Sequence, residues 1–128
     1  ITLPHATTTV AGFGVIHSFT IAPRGTVVAL TDGATITPDF SAGNNFSVSL
    51  NGNRTLPHPT NLTACQSGVI VVTQDATTGS RTLAFGSEYK FAGGTAPTLT
   101  TTAGAVDVLA YYAESATRIT VTAILNVS

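Results

Sequence analysis

The chain lacks tryptophan and methionine, and it has a single cysteine among its 128 residues. With Cys65 alone, no intrachain disulfide can form. Its setting, Leu62-Thr63-Ala64-Cys65-Gln66-Ser67-Gly68, offers no activating group, so a buried structural thiol is expected rather than a nucleophile. Charge is also scarce. Only 9% of residues are Asp, Glu, Lys or Arg, and the formal net charge is −1. The five cations, Arg24, Arg54, Arg81, Lys90 and Arg118, are scattered and form no basic patch. That excludes a phosphate-backbone binder, so no nucleic-acid partner is expected. No stretch approaches the ~18 apolar residues needed to span a bilayer as a helix, so no membrane insertion is expected. No segment sustains a helical period. No secretory leader pattern is present, and the chain starts at Ile1. It reads as a processed product or as a piece of a longer protein.

What is abundant is Thr, Val, Ile and Ser. The apolar fraction is 43%, with a mean hydropathy of +0.34. Few charges on an apolar chain point to a protein–protein interface, because interface cores are depleted in charge. A monomer whose surface is Thr and Ser rather than Lys and Glu is the alternative. β-Branched residues favour pleated sheet. Strands are expected over 14–22, 26–32, 46–50, 81–85, 106–114 and 118–127. The run Gly68–Gln74 is continuously apolar and reads as a strand buried on both faces. Turn residues separate these runs, at 23–25, 32–33, 43–45, 51–52, 78–80 and 93–94. Asn51-Gly52 is the strongest hairpin signal. The pattern predicts an all-β fold, a single antiparallel β-sandwich of jelly-roll type, assembled as a homotrimer that hides apolar surface and sheet edges. Residues 1–12 read as an arm or linker, and residues 13–128 as the sandwich domain.

The chemistry-bearing residues form no recognisable catalytic pattern. There is no G-x-S-x-G elbow, and no order of Ser, His and Asp singles out a triad. His5, His17 and His58 lack metal-ligand spacing, and Asp32, Asp39 and Asp75 do not follow a calcium-loop pattern. No metal and no cofactor are expected. The six acids, Asp32, Asp39, Asp75, Glu88, Asp107 and Glu114, include enough carboxylates for a glycan-cleaving pair. Such enzymes also need an aromatic-lined groove, and aromatics make up 7% of this chain. Four N-x-[ST] triplets, at Asn45, Asn53, Asn61 and Asn126, read as chance in so Ser- and Thr-rich a sequence. Tyr89, Tyr111 and Tyr112 are ligand candidates by residue type, since tyrosine stacks on sugars and still hydrogen-bonds. The competing reading sends one of the adjacent pair inward and the other outward, as a strand requires. The stretch Ser80–Leu99 concentrates Arg81, Glu88 and Lys90 beside aromatics and Gly93-Gly94. Ordinary strand, turn and crossover-loop roles account for it, with these charges pairing at a sheet edge or between subunits. Asp107 and Arg118 are expected to brace the last two strands.

From Gln66 onward a set of motifs is familiar: Gln66-Ser67-Gly68, Gln74-Asp75, Ser80–Leu83, Tyr89–Phe91, Gly93–Leu99 and the Asp107 of Ala105–Leu109. Upstream, Asn51–Leu62 fits an Asn-x-Thr-Leu hairpin followed by a Pro-Asn-Leu loop. Over residues 44–128 the chain resembles the C-terminal domain of tail-fibre, head-fibre and related virion-appendage proteins of tailed bacteriophages, also seen in prophages and gene-transfer particles. Cys65 departs from the resemblance, which has Gly or another small residue there. The resemblance implies a virion structural protein on the particle surface, not an enzyme, with partners among other virion proteins and an adhesive role toward the host surface. It brings no catalytic residues. Glycan is the expected host ligand. Loops 37–45 and 73–80 are the expected contact regions, with Asp39, Asn44, Asn45, Asp75, Tyr89 and Tyr112 as candidate contacts. A capsid-decorating or connector protein with no host ligand is the alternative, and a glycan-cleaving enzyme the third reading.

Overall fold

The computed structural model describes residue 22 and residues 24–128. The expected arm over residues 1–12, His5, His17 and all but the last residue of the strand expected at 14–22 lie outside them. The described residues form eight strands: β1 (Val27–Ala29), β2 (Asn45–Ser49), β3 (Arg54–Leu56), β4 (Ser67–Thr73), β5 (Leu83–Phe85), β6 (Tyr89–Phe91), β7 (Val106–Ser115) and β8 (Arg118–Ile124). A short 3-10 turn at Ala92–Gly94 is the one helical element among them. No helix among the described residues is long and apolar enough to cross a membrane. The protein is all-β. Six strands make one sheet in the order β1-β2-β4-β7-β8-β6, and β3 and β5 make a second, two-stranded sheet.

The expected antiparallel pairing is corrected by this topology. Four of the six strand pairs among the described residues are parallel: β1 with β2, β2 with β4, β3 with β5 and β6 with β8. Only β4–β7 and β7–β8 are antiparallel. A tight turn can join antiparallel neighbours, whereas parallel neighbours need a long return. Only β7 and β8 are joined tightly, through Ala116-Thr117, and a register shift near Ser115 accommodates that turn. The Asn51-Gly52 signal marks a real turn but not a hairpin. It carries the chain from β2 in the large sheet to β3 in the small one. There Arg54 clamps Asp32 through Nε and Nη2, at 2.8 and 2.7 Å. The bidentate pair fixes where the chain changes sheets, information that the dipeptide itself does not hold.

One face of the large sheet builds the core. Successive strands contribute a row in register: Phe46 opposite Ile70, Ile70 opposite Leu109, and Leu109 opposite Ala123. A second row joins Val48, Val72 and the buried Asp107. The small sheet adds Leu56 and Leu83, and loop residues Ile36, Phe40, Leu50, Leu62 and Leu99 complete a single cluster. Phe85 of β5 packs against Tyr89 and Phe91 of β6, with ring centroids 5.7 and 4.9 Å apart. Those two strands flank Gly86-Ser87, yet belong to different sheets. The apolar run of β4 is buried on one face only. Ile70 and Val72 are inside, while Val69 and Val71 are half-buried on the other face.

Two backbone features hold this frame together. Asp107, 2% exposed, accepts from the Thr100 amide and hydroxyl, each at 2.7 Å, and from the Asn126 amide at 2.8 Å. A buried carboxylate is tolerable when its oxygens are supplied with donors. At Gly68, by contrast, the constraint is space. A Cβ there would lie 1.9 Å from the Asn44 carbonyl oxygen, which is backbone and cannot swing away. Gly68→Ala is therefore expected to lose about 1–3 kcal/mol of stability, as overpacking does. Urea unfolding of the variant against the parent measures it, and an unchanged midpoint would refute the close approach.

Candidate functional site

Two loops meet at the end of the large sheet where β2 and β4 begin. The first runs from Asp39 to Asn44, the second from Thr60 to Gln66. They are stitched by backbone bonds from Phe40 N to the Thr60 carbonyl and from Thr60 N to the Pro38 carbonyl, both 2.9 Å. Side chains add to the stitching. The Gln66 amide donates to the carbonyls of Phe40 and Gly43 at 2.8 and 2.9 Å. The buried Tyr111 hydroxyl donates to the Asn44 carbonyl at 2.6 Å, and burial pushes its pKa up to about 12. Beneath, the Phe40 ring lies 5.2 Å from Phe46 and 4.9 Å from Tyr111. Loop geometry is thus fixed from below by core aromatics and from the side by one glutamine.

Between the loops lies an open cleft of about 430 Å³, lined by Phe40, Asn44, Thr63, Ala64, Cys65, Gln66 and Ser67. Among the described residues its lining carries no ionisable group other than the Cys65 thiol. At its border Asp39 accepts from Asn61 Nδ2 at 2.8 Å and from the Ser41 hydroxyl and amide at 2.7 and 2.9 Å. The Asn61 bond, followed by those from Ser41, holds its carboxyl below the usual range. Asn61 has a φ of 56°, a left-handed conformation that asparagine tolerates. Asn45 turns its Oδ1 to the Val69 amide at 3.2 Å. Tyr112 stands on the sheet face beside the cleft, with its hydroxyl 3.8 Å from Cys65 Sγ. That contact raises its pKa.

The structure brings Asp39, Asn44, Asn45 and Tyr112 to this one end. It does not bring Asp75, which lies beyond the far end of β4, about 20 Å along a seven-residue strand. Asp75 is occupied there. It accepts from the amides of Thr77 and Thr78 at 2.8 and 3.2 Å, and from Arg81 Nη2 at 2.8 Å. The Thr77 amide, then Arg81, lowers its pKa. Tyr89 is a core residue, 4% exposed, whose hydroxyl has no hydrogen-bond partner among the described residues. Burial raises its pKa, and in this fold it offers no surface to a ligand. Cys65 is exposed, not buried as expected; it sits just before β4 in a left-handed conformation, with φ 71°.

The remaining charges find partners that sequence spacing did not indicate. Arg81 pairs with Asp75, Arg118 with Glu114 at 2.7 Å, and Glu88 faces His58 at 3.7 Å. Lys90 has no ion-pair partner among the described residues. Asp107 binds backbone and a threonine rather than Arg118. Sequence reasoning missed Gln66 and Asn61 as organisers of the cleft. Only Asn61, after Pro59-Thr60, carried a turn signal. Among the described residues no three His, Cys, Asp or Glu side chains gather into a metal-sized group.

These features define a class: a β-domain that carries a loop-built, largely uncharged cleft at one end of its large sheet, with no metal-sized cluster among the described residues. The chain belongs to the family described as "Putative phage tail fibre C-terminal domain", which matches residues 36–123. No curated protein and no solved structure matches the chain significantly. Membership points to a virion-associated structural protein of the phage tail fibre. The matched span covers both loops of the cleft, all strands from β2 to β7 and β8 up to Ala123.

The carboxylates predict an acid response. Asp32 is lowered chiefly by its hydrogen bonds from Arg54, and Glu114 by Thr120 and then Arg118, in the same direction as Asp39 and Asp75. A depressed folded-state pKa adds stability above the unfolded value and loses it as pH falls through the folded one. Melting temperature should therefore hold at neutral pH and drop below about pH 4. Asp32→Asn should melt lower than the parent at pH 7, with the gap closing by about pH 2–3. A gap that is constant with pH would rule out the Asp32 carboxylate as its source.

Proposed function

We propose that this chain is a tail-fibre, head-fibre or spike component on the virion surface that contributes to attachment to the host, and that its ligand is glycan. Family membership carries the reading, and the cleft at the Asp39–Asn44 and Thr60–Gln66 loops supports it. Amide, hydroxyl and carbonyl groups line that cleft beside an exposed tyrosine. They suit a neutral, hydroxyl-rich ligand, for which aromatic stacking and uncharged hydrogen bonds are the available contacts. Loops on a stiff scaffold are the usual carriers of such contacts. Single-site binding through so open a cleft is weak. Repetition of the domain, as a homotrimeric β-sandwich seated on other virion proteins, raises the effective strength without new contacts.

Asn44→Ala and Tyr112→Ala are expected to weaken adsorption of reconstituted particles to host cells by about tenfold each, the loss of roughly one good hydrogen bond or stacking contact. A glycan array with the purified domain checks the ligand class. Normal adsorption by both variants would overturn the placement of the site. A blank array together with host-independent particle assembly would favour the decorating or connector role.

A further inference from the structure

The large sheet ends at β1, and that edge is open among the described residues. The Leu30 amide donates to the Ser47 carbonyl at 2.8 Å, and Val28 stands in register with Phe46. In a parallel ladder, alternate residues turn their amide and carbonyl to one neighbour. Val27 and Ala29 therefore turn theirs away from β2, and among the described residues nothing pairs with them. β1 is Val-Val-Ala, without the charge or proline that usually guards an edge. Val27 is 59% exposed. The small sheet has an open edge too. The Ile36 amide donates to the Thr55 carbonyl at 2.8 Å, and the Thr55 amide to that of Ala34 at 3.1 Å, so the backbone groups of Thr35 face away from β3. A cleft of about 440 Å³ runs along both edges, with Val28, Leu30, Thr35 and Ile36 in its lining. Val28 and Leu30 pack against the core yet stay half-buried, so the core is only partly covered here.

We infer that this edge is filled by the chain's own residues 15–22, paired antiparallel with β1 as a hairpin. An open edge accepts extended backbone, and this segment ends where β1 begins. Residues 15–21 lie outside the described residues. Ala22, Arg24, Gly25 and Thr26 are exposed, as a surface turn requires. The sequence Val15-Ile16-His17-Ser18-Phe19-Thr20-Ile21-Ala22 is rich in β-branched and aromatic residues, which suit a strand. Its alternation sets the register, because directly opposite residues share a face. Val28 and Leu30 face the core, so Ile21 and Phe19 are buried only when they lie opposite them. Thr20 then falls opposite Ala29, and Ala22 opposite Val27, on the exposed face. That register leaves Pro23-Arg24-Gly25-Thr26 as a four-residue loop, a common hairpin length, with proline where its fixed φ starts a type I turn. A one-residue slip would bury Ser18 and Thr20 and expose Phe19 and Ile21. Tethered by four residues, the chain's own segment outcompetes that of another copy through effective concentration. The family match begins at residue 36, so this hairpin extends the domain upstream of the matched span. It closes the edge against uncontrolled strand pairing and fixes where the upstream chain leaves the sheet.

The experiment is a disulfide between Thr20→Cys and Ala29→Cys in the full chain, with Cys65→Ser to remove the natural thiol. Opposite residues in a hydrogen-bonded antiparallel pair have Cα atoms about 5.5 Å apart, within the span of a disulfide. Mild oxidation should give an internal link at the single-chain mass near 13.0 kDa, read on a non-reducing gel and by peptide mass mapping. Phe19→Cys with Ala29→Cys, which point to opposite faces, should not link. Hydrogen exchange on the unaltered chain needs no substitution. There the Val27 and Ala29 amides should exchange about tenfold or more slower than those of an open edge. Links between chains would assign the edge to a second copy and overturn the inference. So would the absence of any link at Thr20 and Ala29, equal linking of the two pairs, or fast exchange at both amides.

Discussion

The burial of β4 between a parallel neighbour and an antiparallel one is the constraint on which the structure depends. β2 and β7 hold it in register over Ile70 and Val72, and those residues sit at the centre of the core. Because a strand alternates strictly, this single choice sends Val69 and Val71 to the opposite face. A one-residue slip would exchange the two sets. The slip is blocked at Gly68, whose missing Cβ lets the Asn44 carbonyl approach.

Both ends of β4 inherit their form from that register. At its start, Gln66 reaches back to Phe40 and Gly43, and Tyr111 of the neighbouring strand reaches Asn44, so the cleft loops are set by the sheet beneath them. At its other end, Gln74 exchanges two hydrogen bonds with Arg81, at 2.7 and 3.0 Å, and Asp75 gathers Thr77, Thr78 and Arg81. One end is tied mainly by neutral groups and left open. The other is closed on a carboxylate. The same strand thus supports a surface able to meet hydroxylated ligands and a sealed turn, and the two were indistinguishable as loop sequences.

Much of the candidate site was legible because polar loop residues are read by type. Asp39, Asn44 and Asn45 fall in a loop whose Gly43 and asparagines announce a turn, and Tyr112 follows Tyr111 on a strand that must send the two to opposite faces. Tyr89 carried the same residue type and ended in the core, because β6 pairs with β8 and turns it toward Phe85. Gln66 stood out only as part of the Gln66-Ser67-Gly68 motif, which said nothing of a role at the cleft. Its importance comes from carbonyls more than twenty residues away in sequence.

By itself the sequence determined the all-β class, the positions of most strands and the family, since β-branched periodicity and short motifs act over a few residues. It also determined that the chain would be poor in charge. Only the tertiary structure decided that most strand pairs are parallel, that Asn51-Gly52 bridges two sheets, and that Cys65 faces outward. It also decided that the apolar run of β4 has one buried and one half-buried side. Each of these depends on contacts between residues distant along the chain, such as Asp32 with Arg54 or Tyr111 with Asn44, and local pattern carries no record of which distant partner is met.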